Sequence, residues 1–200
     1  MSAPTSTQMR RREVVKALLV KREGLLVVAG LGSTAWDITA AGDSPLSFPL
    51  WGAMGNAAMI GLGLALAQPA RRVLVVTGDG EMLMGLGSLA TIGVQQPRNL
   101  AVVVIDNERY GETGMQATHT AAGVDLAKVA RACGFGFAKQ IRERANLVVL
   151  RAAIHVSPGP LFAQIKVRAE KLPLVLPPRD GAILKSRFRK ALLGEGADLN

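Results

Sequence analysis

Gly78-Asp79-Gly80 closes one apolar run, Val73 to Thr77, and Asp106-Asn107 closes another, Leu100 to Ile105. The 25 residues between them, 81 to 105, have the length of one helix plus one strand of a parallel crossover. Two oxygen-bearing side chains are therefore expected above neighbouring strand ends, at the edge where open α/β sheets bind ligands. A magnesium-like cation takes about six oxygens, often from one or two carboxylates, water and substrate phosphates. Asp79 offers a charged oxygen, Asn107 a neutral amide oxygen, and the loop just past Asn107 a backbone carbonyl. Gly78 and Gly80 let the main chain pass close to phosphates. Taken alone, the tripeptide is better read as a strand-ending turn; its partner at 106 and 107 shifts the reading toward a site.

The flanking pattern supplies the elements that must hold these residues. Met9 to Glu23 places Val14, Val15, Leu18 and Leu19 on one face of a docked helix, and Leu25 to Ala29 reads as a buried strand ending at Gly30-Leu31-Gly32-Ser33-Thr34. Residues 42 to 50 read as a connecting loop, 56 to 67 as a Gly- and Ala-rich helix packed closely on a sheet, and 83 to 94 as a further helix. Residues 108 to 123 lack periodicity and read as a long loop over the strand ends. Then follow a helix over 124–133, a short strand over 135–140, a helix over 145–154 and a strand over 160–166. The expected fold is α/β, a three-layer parallel sheet with helices on both faces. Residues 1–178 would form one domain and 179–200 a basic C-terminal helix or tail.

Two hundred residues with 49% hydrophobic content suit one core, filled by aliphatic side chains because aromatics are only 4%. The net charge of +9 is concentrated at the termini, in Arg10, Arg11, Arg12, Lys16, Lys21 and Arg22 and in Arg179, Lys185, Arg187, Arg189 and Lys190. Without interleaved aromatics or a recognition motif, that pattern argues against a nucleic-acid partner and for solvated helix faces or a partner surface. The single Cys133 excludes an intrachain disulfide, a cysteine-rich zinc site and a protein-held iron–sulfur cluster, and fits a cytoplasmic setting. No apolar run approaches a membrane span, and the polar start lacks a signal-peptide core.

Gly78-Asp79-Gly80, its spacing and Asp106-Asn107 resemble the thiamine diphosphate motif, Gly-Asp-Gly followed some two dozen residues later by Asn-Asn. Asp106 departs from the first Asn; the metal-binding second Asn is kept. The resemblance extends through Gly52-Ala53-Met54-Gly55, Gly61 to Ala67, Leu86 to Gly93, Pro97-Arg98-Asn99-Leu100 and Tyr110-Gly111-Glu112-Thr113-Gly114. These segments together look most like the sulfopyruvate and phosphonopyruvate decarboxylases, in their diphosphate-binding (beta) half. The match covers most of residues 10 to 170.

Carried over by position, the resemblance implies thiamine diphosphate and Mg2+ as cofactors. Asp79, the Asn107 side chain and the backbone oxygen of Arg109 would hold magnesium. Ser33, beside Gly32, and the backbone around Gly80, Glu81 and Glu112 would contact the diphosphate. The Gly52 carbonyl would accept the aminopyrimidine 4'-amino group, and Met54 would be the apolar wedge that bends the cofactor. That bend sets the 4'-amino nitrogen against the thiazolium C2 proton, so proximity replaces a strong external base. Without the flanking glycines, Met54 would read as an ordinary core methionine. Glu112 and His119 are candidates to touch the substrate or relay protons, although a lone loop histidine is commonly a surface residue. The acidic group in Tyr110-Gly111-Glu112-Thr113-Gly114 is shifted by one position from the resembled enzymes, which leaves the substrate open.

The glutamate that activates the cofactor in this family sits on a separate pyrimidine-binding domain, for which the chain has no room. The resemblance thus implies a second subunit carrying that domain, in a hetero-oligomer that decarboxylates a small anionic 2-oxo acid such as 3-sulfopyruvate or phosphonopyruvate. An acetolactate synthase-like carboligase subunit and a noncatalytic cofactor-binding subunit are the alternatives. A dinucleotide-binding fold, suggested by Gly30-Leu31-Gly32, lacks the third glycine and the acidic residue it needs.

Overall fold

The computed structural model describes residues 8–198. In chain order it contains α1 (Arg11–Leu18), β1 (Leu26–Ala29), α2 (Ser33–Ala40), β2 (Ser47–Pro49), α3 (Ala57–Ala67), β3 (Val73–Gly78), α4 (Asp79–Met84) and α5 (Ser88–Gln95). There follow β4 (Leu100–Asp106), a small antiparallel hairpin of β5 (Arg109–Tyr110) and β6 (Gln116–Ala117), and a 3-10 turn over His119–Ala122. The remainder is α6 (Leu126–Ala132), β7 (Phe137–Ile141), α7 (Asn146–Val156), β8 (Leu161–Lys166), α8 (Gly181–Leu193) and a closing 3-10 turn, Gly194–Asp198.

Six strands form one parallel sheet in the order β2-β1-β3-β4-β8-β7. Alternate residues of the same strands feed two cores. Val27, Leu74, Val76, Ala101, Val103 and Ile165 face the layer of α1, α2 and α7. Val28, Val73, Val75, Val102, Val104 and Phe162 face α3, α5 and α6 on the other side. Strands buried on both faces read as unbroken apolar runs, and this is why Val73 to Thr77 and Leu100 to Ile105 are legible without alternation. The expected three-layer α/β architecture is the one observed. Among the described residues no helix is long and apolar enough to cross a membrane.

Four local features differ from the sequence reading. Residues 42–50 contain an edge strand, β2, whose Ser47, Phe48 and Pro49 pair with Val27, Val28 and Ala29; proline is tolerated there because an edge strand needs no outer donor. Helix α2, unannounced by any amphipathic period, is wedged deeply enough that Thr34 through Ile38 are all buried, so no polar stripe marks it. The helix expected over 83–94 is broken at residues 85–87, because Gly85 lies against the backbone of Gly55: a Cβ there would come within 2.0 Å of the Gly55 carbonyl oxygen. The long loop over 108–123 carries the β5–β6 hairpin and a 3-10 turn rather than irregular chain. At the C-terminus, α8 lays Phe188 against Phe48 with ring centroids 5.5 Å apart, and Arg187 pairs with Asp43.

The close packing expected of α3 rests on Gly61, where a Cβ would meet Val75 Cγ2 at 2.1 Å. Alanine adds helix propensity of about 1 kcal/mol, but overpacking a buried strand costs about 1–3 kcal/mol, so the clash wins. Gly61→Ala is expected to lower Tm. Gly63→Ala, in the same helix with no atom within 4 Å of the new methyl, is expected to raise it; thermal unfolding of the pair checks this.

Candidate functional site

The strand order reverses beside β1: the chain leaves β1 toward β2 on one side and returns to β3 on the other. At such a switch point the loops diverge and leave a crevice above the carboxyl ends of the strands. The crevice is a cavity of about 170 Å3 lined by residues that include Leu31 and Ser33 after β1, Met54 after β2, Gly78 to Glu81 after β3, and Asn107 and Arg109 to Thr113 after β4. Arg11 of α1 closes one wall. A larger space of about 350 Å3 between α1 and α7 holds none of the expected residues.

Asp79 is the first residue of α4 and is only 2% exposed. Its Oδ2 accepts the Thr118 hydroxyl at 2.6 Å, and the Thr120 hydroxyl lies 3.3 Å away. Burial pushes the Asp79 pKa up to about 6; the Thr118 bond opposes this and the charge of Asp106 adds to it. Asp106, fully buried, is differently served. It accepts Thr120 Oγ1 at 2.8 Å, Gln164 Nε2 at 2.5 Å and the Glu108 amide at 3.0 Å, and Lys166 Nζ lies 2.8 Å away. Lys166 also binds Glu108 at 2.7 Å. Burial alone would lower the Lys166 pKa, but its bonds to Asp106 and Glu108 outweigh that and leave it raised.

Asn107 turns Oδ1 to accept the Arg109 amide at 2.9 Å, an Asx turn that fixes the Arg109 peptide at the cavity wall. Glu108 between them takes φ of 62°, which keeps this turn tight. Glu81 is 5% exposed and points beneath the floor, accepting the Thr77 hydroxyl at 2.7 Å. Burial raises its pKa, against the Thr77 bond and the nearby amides of Gly55, Ala57 and Leu31, which favour the ionised form without closing a full hydrogen bond to Oε1. Gly30 must stay bare for this carboxyl to fit, since a Cβ would lie 1.7 Å from Glu81 Oε2. Gly80 packs beneath the Tyr110 ring, 2.5 Å from where a Cβ would stand.

The structure therefore gathers Ser33, Met54, Asp79, Gly80, Glu81, Asn107, Arg109 and Glu112 around one cavity. Gly32 caps α2 with φ of 71° and lies against the Glu112 carboxylate. Gly52 stands on the exposed rim rather than in the wall, followed by Ala53 and Gly55 at φ of 57° and 89°. His119 is not brought to the cavity: its side chain is exposed, while the neighbours Thr118 and Thr120 turn inward to the buried carboxylates. Those two threonines and Tyr110 went unread in the sequence as site residues; a Thr-x-Thr inside a polar loop carries no signal of its own. Arg11 is a correction: expected on a solvated helix face or a partner surface, it is 4% exposed and bonded within the chain to Asp37 and the Ser33 carbonyl.

Residues 32–165 match the family described as thiamine pyrophosphate enzyme, C-terminal TPP binding domain. The chain belongs to that family. It is 36% identical over 193 residues to the sulfopyruvate decarboxylase subunit beta of Methanothermobacter thermautotrophicus, covering 95% of this chain and 99% of that one. It is 40% identical over 146 residues to the phosphonopyruvate decarboxylase of Streptomyces viridochromogenes, of which it covers 36%. A thiamin diphosphate-dependent enzyme from Mycobacterium smegmatis shares the fold, with a TM-score of 0.67 at 20% identity over 82% of this chain and 32% of that chain.

The site suits such a cofactor on its own chemistry. Among the described residues no three His, Cys, Asp or Glu side chains form a ready metal cage; a hard cation would have to combine Asp79 with amide and carbonyl oxygens, the set that Asn107 and Arg109 supply at the same cavity. Asp79 has no basic side chain bonded to it among the described residues, so its buried charge lacks the counter-ion that a divalent cation would be.

Stability should register that missing charge. A carboxyl whose folded pKa is raised destabilises the protein above that pKa and not below its unfolded value. With Asp79 raised from 3.8 to about 6, Asp79→Asn is expected to raise the Tm of the metal-free protein at pH 7, reflecting at most about 3 kcal/mol. The gain should shrink steadily as pH falls toward 4, which differential scanning fluorimetry across that range checks.

Proposed function

We propose that this chain is the cofactor-binding subunit of a heteromeric, thiamine diphosphate-dependent 2-oxo-acid decarboxylase that works on an anionic substrate of the 3-sulfopyruvate or phosphonopyruvate type. One observation carries the reading: Asp79, Asn107, Arg109 and Met54, separated by up to 55 positions in the chain, line one cavity at the sheet's switch point. Likeness to a sulfopyruvate decarboxylase subunit beta along nearly the whole chain supports the reaction class and the need for a partner.

In this reading Asp79, the Asn107 amide oxygen and the Arg109 carbonyl would hold Mg2+, which would supply the positive charge that a diphosphate needs. Ser33, Gly32 and the backbone at Gly80, Glu81 and Glu112 surround the diphosphate. Met54, 37% exposed beside the cavity, would support the bend between the cofactor's rings, and the Gly52 carbonyl would accept the aminopyrimidine 4'-amino group. When bound, the cofactor supplies the electron sink that stabilises the charge left as carbon dioxide departs. Glu81, buried beneath the 54–57 turn and bonded to Thr77, would support from below the loop that carries Gly52 and Met54.

A cavity of about 170 Å3 is small against the roughly 300–1,000 Å3 of clefts that enclose whole ligands. It suits the diphosphate end, with the remainder of the cofactor lying along the exposed Trp51 to Met54 rim. A pyrimidine-binding partner that contributes the activating glutamate would cover that rim, in an α2β2 or larger assembly.

Two measurements test the reading. The purified chain is expected to bind thiamine diphosphate weakly with Mg2+ and to release no carbon dioxide until a pyrimidine-domain subunit is added; full turnover by the chain alone would overturn it. In the reconstituted enzyme Asp79→Ala should lower cofactor affinity at least tenfold, and aldehyde rather than an acetolactate-type product should accumulate.

A further inference from the structure

The Arg11 side chain is 5% exposed and its partner Asp37 1%, an unusual depth for a guanidinium at the start of a surface helix. Both of its hydrogen bonds to described residues leave from Nη1: one to Asp37 Oδ2 at 2.5 Å, the other to the Ser33 carbonyl at 3.0 Å. A guanidinium has five N–H donors in a rigid fork. No hydrogen bond to a described residue leaves from Nε or Nη2, and Arg11 lines the site cavity with Ser33, Asp79 and Gly80. Its remaining donors therefore belong to a side chain that lines the cavity.

Charge accounting points the same way. Asp37 is shared, Oδ2 with Arg11 and Oδ1 with Arg12 at 2.9 Å, so one carboxylate serves two guanidiniums and the trio keeps one surplus positive charge. Arg12 disposes of its other end outside, on the Pro173 carbonyl, and does not line the cavity. The cavity wall carries Asp79 and Glu112 against Arg11 and Arg109, while the Glu81 carboxyl is turned beneath the floor onto Thr77. Beyond the cation that Asp79, Asn107 and Arg109 would hold, a polyanion in this cavity needs positive side chains, and Arg11 is one of the two that the lining offers. Arg11 is held by the first turns of α2, the element whose start, Gly32–Ser33, lies beside the cavity, so its reach is to a group bound at that end.

We infer that Arg11 is an oxyanion-binding residue of this cavity, donating from its free edge to the terminal phosphate of the cofactor's diphosphate. The inference rests on the cofactor reading above. Arg11 also precedes residues 32–165, the span of the family match, so the matched domain does not itself contain this group. Asp37 and the Ser33 carbonyl pre-orient the fork, which makes the contact specific for a planar guanidinium rather than for any positive charge.

The test uses the full chain with Mg2+ and follows Trp36 and Trp51, the only two tryptophans, whose rings lie 5.2 Å apart next to the site. Thiamine diphosphate and unphosphorylated thiamine are titrated against wild type, Arg11→Gln, Arg11→Lys and Arg12→Gln. Arg11→Gln should raise the Kd for thiamine diphosphate at least tenfold and that for thiamine less than twofold, with Arg11→Lys restoring only part of the loss and Arg12→Gln changing neither. Equal weakening of both ligands would mean a packing role and overturn the assignment, as would unchanged diphosphate affinity in folded Arg11→Gln. If instead cofactor affinity holds and KM for the 2-oxo acid rises in the partner-reconstituted enzyme, the oxyanion is the substrate's and the diphosphate assignment fails. Absence of any cofactor binding by wild type would overturn the underlying reading as well. Should Arg11→Gln unfold, Arg11→Gln/Asp37→Asn removes the pair together and carries the same comparison.

Discussion

Two carboxylates of like charge, Asp79 and Asp106, are buried at the ends of the adjacent strands β3 and β4, and the carboxyl edge of the molecule is arranged around that constraint. Burying an isolated charge costs far more than a single hydrogen bond returns. Asp106 meets the requirement internally, with Lys166 from the next strand, Gln164 and Thr120. Among the described residues Asp79 receives two hydroxyls and its own amide but no cation. The asymmetry assigns them different work: Asp106 ties β4 to β8, and Asp79 keeps its charge unbalanced and near a cavity.

Thr118 and Thr120 join the two halves of this arrangement. Their hydroxyls lie 2.9 Å apart and reach Asp79 and Asp106 respectively, so the loop after the β5–β6 hairpin is fastened to both strand ends. That fastening also fixes the direction in which Arg109 and Tyr110 leave β4, and Tyr110 in turn covers Gly80. On the neighbouring strand Lys166 pairs with both Asp106 and Glu108 and closes a network of alternating charge.

The positive charge of the chain is divided by depth. Most of the terminal arginines and lysines are partly or wholly exposed, whereas Arg11 is drawn into the wall of the site by Asp37, 26 positions away. Glu81 does the converse on the floor: it is a buried acid bonded to Thr77 beneath the cavity, with the amides of Leu31, Gly55 and Ala57 nearby. Side chains of both signs thus shape the cavity indirectly, through the backbone they hold.

Much was legible in the sequence because it depends on local chemistry. Long apolar runs ending in Gly-Asp-Gly and Asp-Asn, at the spacing of one crossover, determine a parallel sheet with oxygen donors at its carboxyl edge, since strand burial on two faces leaves no other place for such runs. The close approach of α3 to the sheet was legible too, in its glycines and alanines. Helix α2, the edge strand β2, the break at residues 85–87, the exposure of His119 and the burial of Arg11 were not. Each of these depends on a partner distant in sequence: Phe48 against Phe188, Gly85 against Gly55, Thr118 against Asp79, Arg11 against Asp37. Residue types and spacing determine which groups are available for chemistry; the fold alone decides which are desolvated and which face the ligand, because burial and charge balance are properties of the packed neighbourhood and not of the residue.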